Sequence, residues 1–299
     1  MLTKLAKSVT GVFANLLGET PSASRIEALK RQYDAEGFLI LKDFFKPKVV
    51  EQIREQAVSL WDVPRNEKLI VDFGDGDLAG RRMRLADAPD HGKSLNHKIN
   101  DFYLESDEFR SIVLDPKLAN LLSALLEGKP SIINSLHFTV GSSQRPHVDT
   151  WYMPPGVEDR MAVIAVPLEQ YTEENGPLFF YPKSHLIPKY RFSTGHLRAV
   201  PDEQHLCDEY LFGEVEKRGL KREIFYGGPG DLFIWHSQLL HGGMPITNPS
   251  KTRRSVVVHY WRQGDIDVAP EYHWLRGTER AAYGGAYIAR EHQKVGTVG

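Results

Sequence analysis

Two residues apart in the stretch Arg145-Pro146-His147-Val148-Asp149 stand an imidazole and a carboxylate. On extended backbone, side chains two apart project to the same side, so His147 and Asp149 converge on one point. A second imidazole there would complete a set of two histidines and one carboxylate. Such a set holds Fe(II) and leaves three coordination positions open. The candidate is His241, in Trp235-His236-Ser237-Gln238-Leu239-Leu240-His241-Gly242-Gly243. His236 competes for the role, but Gly242 and Gly243 after His241 let the backbone crowd close to a ligand, so His236 reads as a packing residue. In a chain with 12 histidines a bare His-x-Asp arises readily by chance. Its weight comes from what surrounds it.

Downstream lies Thr252-Arg253-Arg254-Ser255-Val256-Val257-Val258-His259-Tyr260. An arginine heading a β-branched strand into a core is costly unless it meets an anion there, and its planar fork suits a carboxylate. Arg253, Ser255, Val257 and His259 share one face of this strand; Arg254, Val256, Val258 and Tyr260 share the other. The first face offers a guanidinium and a hydroxyl, which favours Arg253 over Arg254 as a carboxylate anchor, with Ser255 beside it. Gln144, Trp151 and Tyr152 flank the candidate ligands and would touch a co-substrate or substrate, Gln144 on the co-substrate side. His137 is placed on the preceding strand as a cavity residue. For all four, packing inside the fold is the competing reading.

The elements that must position these residues follow from periodicity. Arg25 to Glu36 reads as a helix ended by Gly37, and Phe38-Leu39-Ile40-Leu41 as a buried strand. Pro47 opens a second helix to about Trp61, and a third helical region from Asp107 to Glu127 restarts at Asp115-Pro116. The segment from Asp72 to Lys98, rich in Gly, Asp and Arg, lacks a period and is expected to be a long loop near the site entrance. After Gly128-Lys129-Pro130 the pattern turns to strands: Ser131 to Val140, Met161 to Leu168, Pro177 to Tyr181, Asp231 to Trp235 and Arg254 to Tyr260. The polar insertion from Leu186 to Arg222 separates two of them and is expected to lie over the mouth of the site. Helices first and strands after predict an α+β fold, with helices packed outside a β-sandwich or barrel. The expected organisation is an amphipathic or flexible segment over residues 1–24 and a single domain over 25–299.

Bulk composition narrows the partners. Lys+Arg 37 against Asp+Glu 39 gives a net charge of −2, so no global field draws nucleic acid or acidic lipid. The single cysteine, Cys207, excludes an intrachain disulfide framework and a thiolate metal cluster, and fits a cytoplasmic location. No run reaches the roughly 20 apolar residues of a membrane span. Between Met1 and Gly18, apolar residues fall near helical spacing behind Lys4 and Lys7. A helix docked on the fold is the favoured reading of residues 2–17, against a membrane-surface helix or a signal peptide ending near Ser22-Ala23-Ser24.

Four motifs occur in one order: His147-Val148-Asp149; Asn175-Gly176-Pro177-Leu178 leading to Pro182-Lys183-Ser184-His185; Gly230-Asp231-Leu232 leading to His241-Gly242-Gly243; and then Arg253. With Asp34-Ala35-Glu36-Gly37-Phe38-Leu39-Ile40-Leu41 before them, the chain from about Tyr33 to Tyr260 resembles the phytanoyl-CoA dioxygenase family of Fe(II)/2-oxoglutarate oxygenases. The resemblance implies a double-stranded β-helix, a jelly-roll or cupin-like barrel, with the metal inside one end. It gives His147, Asp149 and His241 the iron-ligand and catalytic roles, and Arg253 the co-substrate's far carboxylate. It implies 2-oxoglutarate and O2 as co-substrates, with succinate and CO2 released as a C–H bond of a small-molecule or lipid-linked substrate is hydroxylated. Asp149 argues against a halogenase, since related halogenases carry a small residue there. Two departures stand out. Lys183 replaces the family's glycine in Pro-Gly-Ser-His, and the gap from His241 to the arginine is longer than usual by one or two residues. A metal-dependent hydrolase or isomerase, and a non-catalytic ligand-binding jelly roll, are the competing classes. Local positive charge on Arg81, Arg82 and Arg84, and on Lys189, Arg191, His196 and Arg198, raises an anionic substrate as an expectation.

Overall fold

In the computed structural model, residues 14–15, 21–268, 280–289, 292–293 and 295 are described. In chain order the strands and helices begin with β1 (Ala14–Asn15), α1 (Ala23–Glu36), β2 (Phe38–Lys42) and α2 (Pro47–Ser59). There follow β3 (Ile70–Phe73), β4 (Arg82–Arg84), β5 (His97–Asn100), α3 (Asp107–Val113) and α4 (Pro116–Leu126). The second half holds β6 (Pro130–Phe138), β7 (Met161–Pro167), β8 (Leu178–Phe180), α5 (Gln204–Lys217), β9 (Glu223–Phe225), β10 (Leu232–His236), β11 (His241–Gly243) and β12 (Ser255–Arg262). The hairpin β13 (Arg280–Tyr283) and β14 (Ala286–Ala289) joins the outer edge of β6.

The large sheet runs β1-β2-β10-β7-β12-β6-β5-β3-β4, and a three-stranded sheet β11-β8-β9 faces it. Alternation along the strands decides which side chain goes where. Leu39 and Leu41, Ile164 and Val166, and Val256 and Val258 turn outward and meet the helices. There they pack on Leu29 and Tyr33 of α1, Val50 and Ile53 of α2, and Leu118, Leu122 and Leu125 of α4. Phe38 and Ile40, Val163 and Ala165, and Phe233 and Trp235 turn inward against Leu178, Phe180 and Phe225 of the small sheet. Each such side chain contributes about 1.5–3 kcal/mol on full burial. The expected architecture is present: a two-sheet jelly roll with the N-terminal helices outside.

The local signals work as the sequence implies. Ser22 caps α1, Gly37 closes it at φ 84°, and Asp115 accepts from the backbone of Lys117 and Leu118 to restart the helix at Pro116. Two expectations need correction. The stretch from Asp72 to Lys98 carries β4 and parts of β3 and β5, which extend the large sheet. These strands are three or four residues long, and their inward side chains are polar, so period-two hydrophobicity never forms. The helix expected over residues 2–17 lies outside the described residues except Ala14–Asn15. That pair is extended and joins the free edge of β2, opposite Leu41 and Lys42; an open strand edge is a ready template for such pairing.

The insertion from Leu186 to Arg222 packs against the chain around the candidate ligands and contributes no residue to the lining of the cavity between the sheets. It contains α5, whose Cys207, Leu211 and Val215 pack with Ile187 and Phe192 onto Val148, Trp151 and Leu240. Among the described residues no helix is long and apolar enough to cross a membrane.

Candidate metal centre and cavity

Backbone pairing brings the two imidazoles together. His147 and His241 form an isolated antiparallel bridge and exchange both N–H···O bonds, at 2.9 and 3.0 Å. Their rings lie 4.3 Å apart between centroids. The Asp149 amide donates to the Ser237 carbonyl at 3.0 Å, which turns its carboxylate to the same spot. One ligand atom from each of His147, Asp149 and His241 lies within 4.8 Å of the others, and all three residues are buried. Asp149 Oδ1 is 3.9 Å from His147 Nε2 and 3.7 Å from His241 Nε2.

The donor set fits a divalent metal by its protonation as well as its geometry. His147 Nδ1 sits 2.8 Å from the Arg145 carbonyl, and His241 Nδ1 2.8 Å from the Leu239 carbonyl. Each Nδ1–H therefore donates to backbone, and each Nε2 lone pair faces the cavity. Burial, with His241 alongside, pushes His147 down to about 3, so its ring is neutral at pH 7. Burial would raise the Asp149 carboxyl, but His241, His259 and His147 together hold it well below the usual carboxylate range. The other Asp149 oxygen accepts from the Trp235 indole N–H at 2.7 Å. Gly242 and Gly243 are needed where β11 crosses the chain at 142–144. A Cβ on Gly242 would stand 2.8 Å from the Gln144 carbonyl, and one on Gly243 2.8 Å from the Ser143 nitrogen. The crowding is against backbone rather than a ligand.

The triad opens onto a cavity of about 170 Å³ between the two sheets. Arg253 lines it, is 4% exposed, and holds its guanidinium 4.7 Å from the centre of the Tyr171 ring. Arg254 points elsewhere, paired at 2.7 Å with Glu169. Asn175 locks this arrangement by donating to the carbonyls of Gln170 and Thr252, just ahead of the two arginines. A model of the phytanoyl-CoA dioxygenase family matches residues 33–255. The chain belongs to the phytanoyl-CoA dioxygenase family. A Caenorhabditis elegans relative, named phytanoyl-CoA dioxygenase domain-containing protein 1 homolog, is 18% identical over 295 residues, covering 87% of this chain and 98% of that protein. Two solved structures share the fold. The epimerase SnoN from nogalamycin biosynthesis, a non-heme alpha-ketoglutarate-dependent enzyme, has a TM-score of 0.61 at 18% identity, over 91% of this chain and 100% of SnoN. EctD from S. alaskensis has a TM-score of 0.62 at 21% identity, over 93% and 91% of the two chains. EctD has also been crystallised with bound Fe, and with 2-oxoglutarate and 5-hydroxyectoine.

Lys183, where the phytanoyl-CoA dioxygenase family usually has glycine, takes φ 67°, the left-handed turn conformation glycine adopts freely. The neighbouring Ser184 hydroxyl still accepts from the Leu240 amide at 2.8 Å, so the turn supports the chain leading into His241.

Gln144 and Tyr152 line the cavity, and the Gln144 amide donates to the Tyr152 hydroxyl at 3.2 Å. Three expected site residues lie elsewhere. Trp151 packs against the 186–222 insertion with Cys207 and Leu211. Ser255 is fully buried but is not part of the cavity wall. His137 is on the outer face of β6, edge-on to Phe102, because Asn134, Leu136 and Phe138 take the inner positions. His236 likewise faces outward, accepting from the Gln238 amide, and is the packing residue its position implied.

The structure adds cavity residues that sequence reasoning passed over, Asp72, Lys98, Asn100 and Asn134, and brings in Arg82, expected only as one of the loop cations, paired with Asp72. Most come from the stretch read as a loop, so no strand alternation could assign them a face. His259 was placed on the Arg253 face without a role. Its Nε2 is 3.7 Å from the same Asp149 oxygen that the two ligand histidines approach. Burial draws the Lys98 ammonium below its ordinary pKa, while Asp72 opposes that shift and takes its ion pair from Arg82, at 3.0 Å.

Proposed function

We propose that this chain is an Fe(II)- and 2-oxoglutarate-dependent dioxygenase that hydroxylates a C–H bond of a small molecule in the cytoplasm, releasing succinate and CO2. The observation that carries this reading is the pairing of a buried two-histidine, one-carboxylate triad with a buried arginine in one cavity. His147, Asp149 and His241 would hold the iron, which supplies oxygen activation when bound. Arg253 would receive the co-substrate's far carboxylate with a planar fork already desolvated and braced on Tyr171. Lys98 adds a second cation to the same cavity, which suits a dianionic co-substrate. The Trp235 indole fixes Asp149 so that Oδ1 faces the metal.

An anionic substrate gains little support from the surface cations that suggested it. Lys189 and Arg191 are paired with Glu158, and Arg84 with Asp87. The test of the reading is anaerobic loading with Fe(II), addition of 2-oxoglutarate and O2, and measurement of succinate. Release that requires iron, stops in Asp149→Ala and rises with substrate is expected. Metal binding with no consumption of 2-oxoglutarate under any substrate pool would move the chain to a hydrolase, an isomerase or a binding role.

A further inference from the structure

Asp72 on β3 stands between two cations. Its cross-strand neighbours are Arg82 on β4 and Lys98 on β5, and all three line the cavity. Directly opposed residues have Cβ atoms about 5 Å apart, so either cation can reach the carboxylate. The carboxylate pairs with Arg82, whose Nη1 donates to both of its oxygens at 3.0 Å. Lys98 feels Asp72 through space, without a hydrogen bond.

What decides the share is a residue outside the cavity wall. The other terminal nitrogen of Arg82, Nη2, donates to Gln293 Oε1 at 2.6 Å. Gln293 Nε2 in turn donates to Asp101 Oδ2 at 2.8 Å. Asp101 is itself fixed, because its Oδ1 accepts from the Ser135 amide on β6 at 3.0 Å. Beside Gln293, His292 Nε2 lies 2.7 Å from Glu105 Oε1. The hairpin β13–β14 just before them is anchored by Ala286 and Ile288, buried in the core under the helices. Two adjacent residues therefore grip the turn that follows β5, and one of them reaches a side chain of the cavity.

We propose that Gln293 is a positioning residue for the co-substrate: it holds Arg82 on Asp72, and so keeps Asp72 from taking Lys98. The proposal rests on the reading of the cavity as an iron and 2-oxoglutarate site in which Lys98 faces the co-substrate. An arginine released at one end has a long stem with many rotamers, and spends part of its time away from its partner. A carboxylate left unpaired in a cavity draws the nearest remaining cation, here Lys98. Whatever time Lys98 spends on Asp72 is lost to the dicarboxylate. A neutral amide suits the task. It accepts from Arg82 and donates to Asp101 at once, whereas a carboxylate at 293 would compete with Asp72 and repel Asp101. The coupling is also reciprocal: what docking of residues 292–293 adds to co-substrate affinity, the co-substrate adds to their docking.

Calorimetric titration of the full chain, loaded with Mn(II), tests this. Gln293→Leu should bind 2-oxoglutarate about fivefold more weakly than the parent, the low end of coupling between sites, with Mn(II) affinity unchanged. In an Asp72→Asn background no carboxylate competes for Lys98, so adding Gln293→Leu should alter co-substrate affinity by less than about twofold. In the parent chain, hydrogen exchange at the amides of residues 292 and 293 should slow by the same factor of about five when 2-oxoglutarate is added. Four results overturn the proposal: undiminished co-substrate affinity in Gln293→Leu, an equal loss of Mn(II) affinity, a loss that persists beside Asp72→Asn, or exchange indifferent to 2-oxoglutarate. If the parent chain binds no 2-oxoglutarate, the reading of the site falls and this proposal with it. If the parent binds and any of the four occurs, this proposal alone falls.

Discussion

The two walls of the cavity are built on opposite plans. The wall that carries His147, Asp149, His241 and Arg253 recruits distant pieces of chain, each flagged by glycine, proline or asparagine turns, and ties down its metal-facing groups, while Arg253 Nε has no hydrogen-bond partner. The Nδ1 atoms are tied to carbonyls, Asp149 Oδ2 to an indole and Arg253 to a ring. The wall that carries Asp72, Arg82, Asn100 and Asn134 is made of neighbouring strands whose side chains brace one another and leave only Arg82 Nε and Asn134 Oδ1 without partners. The first wall depends on chain brought together from afar, the second on side chains that pair across adjacent strands.

The sharpest way to break that contrast is to remove a brace or ligand from the first wall. His147→Ala or Asp149→Ala should lower affinity for Mn(II), used as a redox-silent stand-in, by at least about a hundredfold, and abolish iron-dependent succinate release. Calorimetry on the two variants measures this, and retention of tight binding would mean that the three side chains are not the ligands. Next in size is the arginine pair. Arg253→Met should weaken 2-oxoglutarate binding by about 10–100-fold, through loss of a buried charge-assisted contact of about 1.5–3 kcal/mol. Arg254→Met should leave that affinity alone and cost about 1 kcal/mol of stability, as its ion pair with Glu169 is lost. Equal effects on co-substrate affinity would remove the distinction between the two faces of β12.

The same contrast explains what could be read from residues alone. His147, Asp149, His241 and the choice of Arg253 over Arg254 follow from strand alternation and turn chemistry, because each lies within or beside a strand with hydrophobic period two. The helices around Leu29, Ile53 and Leu122 were legible for the same reason, with a period of 3.6. Asp72, Arg82 and Asn100 were not. A strand of three or four residues whose inner face is polar has no hydrophobic period, and its glycine and aspartate content imitates a loop. Trp151 and His137 failed differently. Adjacency to a ligand suggested a cavity position for Trp151, but the 3-10 turn at Asp149–Trp151 carries its indole against the 186–222 insertion; a place on the preceding strand suggested one for His137, but alternation along β6 turns it to the outer face.

A smaller effect tests how much the bracing matters. Trp235→Phe deletes the indole N–H that holds Asp149 Oδ2 together with part of a fully buried ring. Metal affinity should fall about tenfold, the low end of what an outer partner contributes, alongside a loss of thermal stability from the space left in the core. Unchanged affinity would show that the triad is set by backbone pairing of His147 and His241 alone.

An effect read from pH rather than affinity separates the two faces of β6, where Asn134 faces the cavity and His137 the helix-side core. Neither His137 ring nitrogen has a hydrogen-bond partner, and burial, with His97 and Arg254 adding to it, pushes its pKa down to about 3. In the unfolded chain the ring takes a proton below about pH 6.5; in the folded protein it resists until about pH 3. The unfolded state thus binds more protons throughout that window, and folding stability falls as pH drops, by about 1.4 kcal/mol per pH unit from this group. His137→Leu removes the contribution. Its stability relative to the parent protein should be near zero or slightly favourable at pH 7, since no hydrogen bond is lost, and about 2 kcal/mol more favourable at pH 5. Urea unfolding of the metal-free proteins at the two pH values gives the difference directly, with the acid sensitivity of His147 common to both. A constant difference would mean that His137 finds a partner when protonated, and the division of β6 into a ligand face and a dry face would no longer hold.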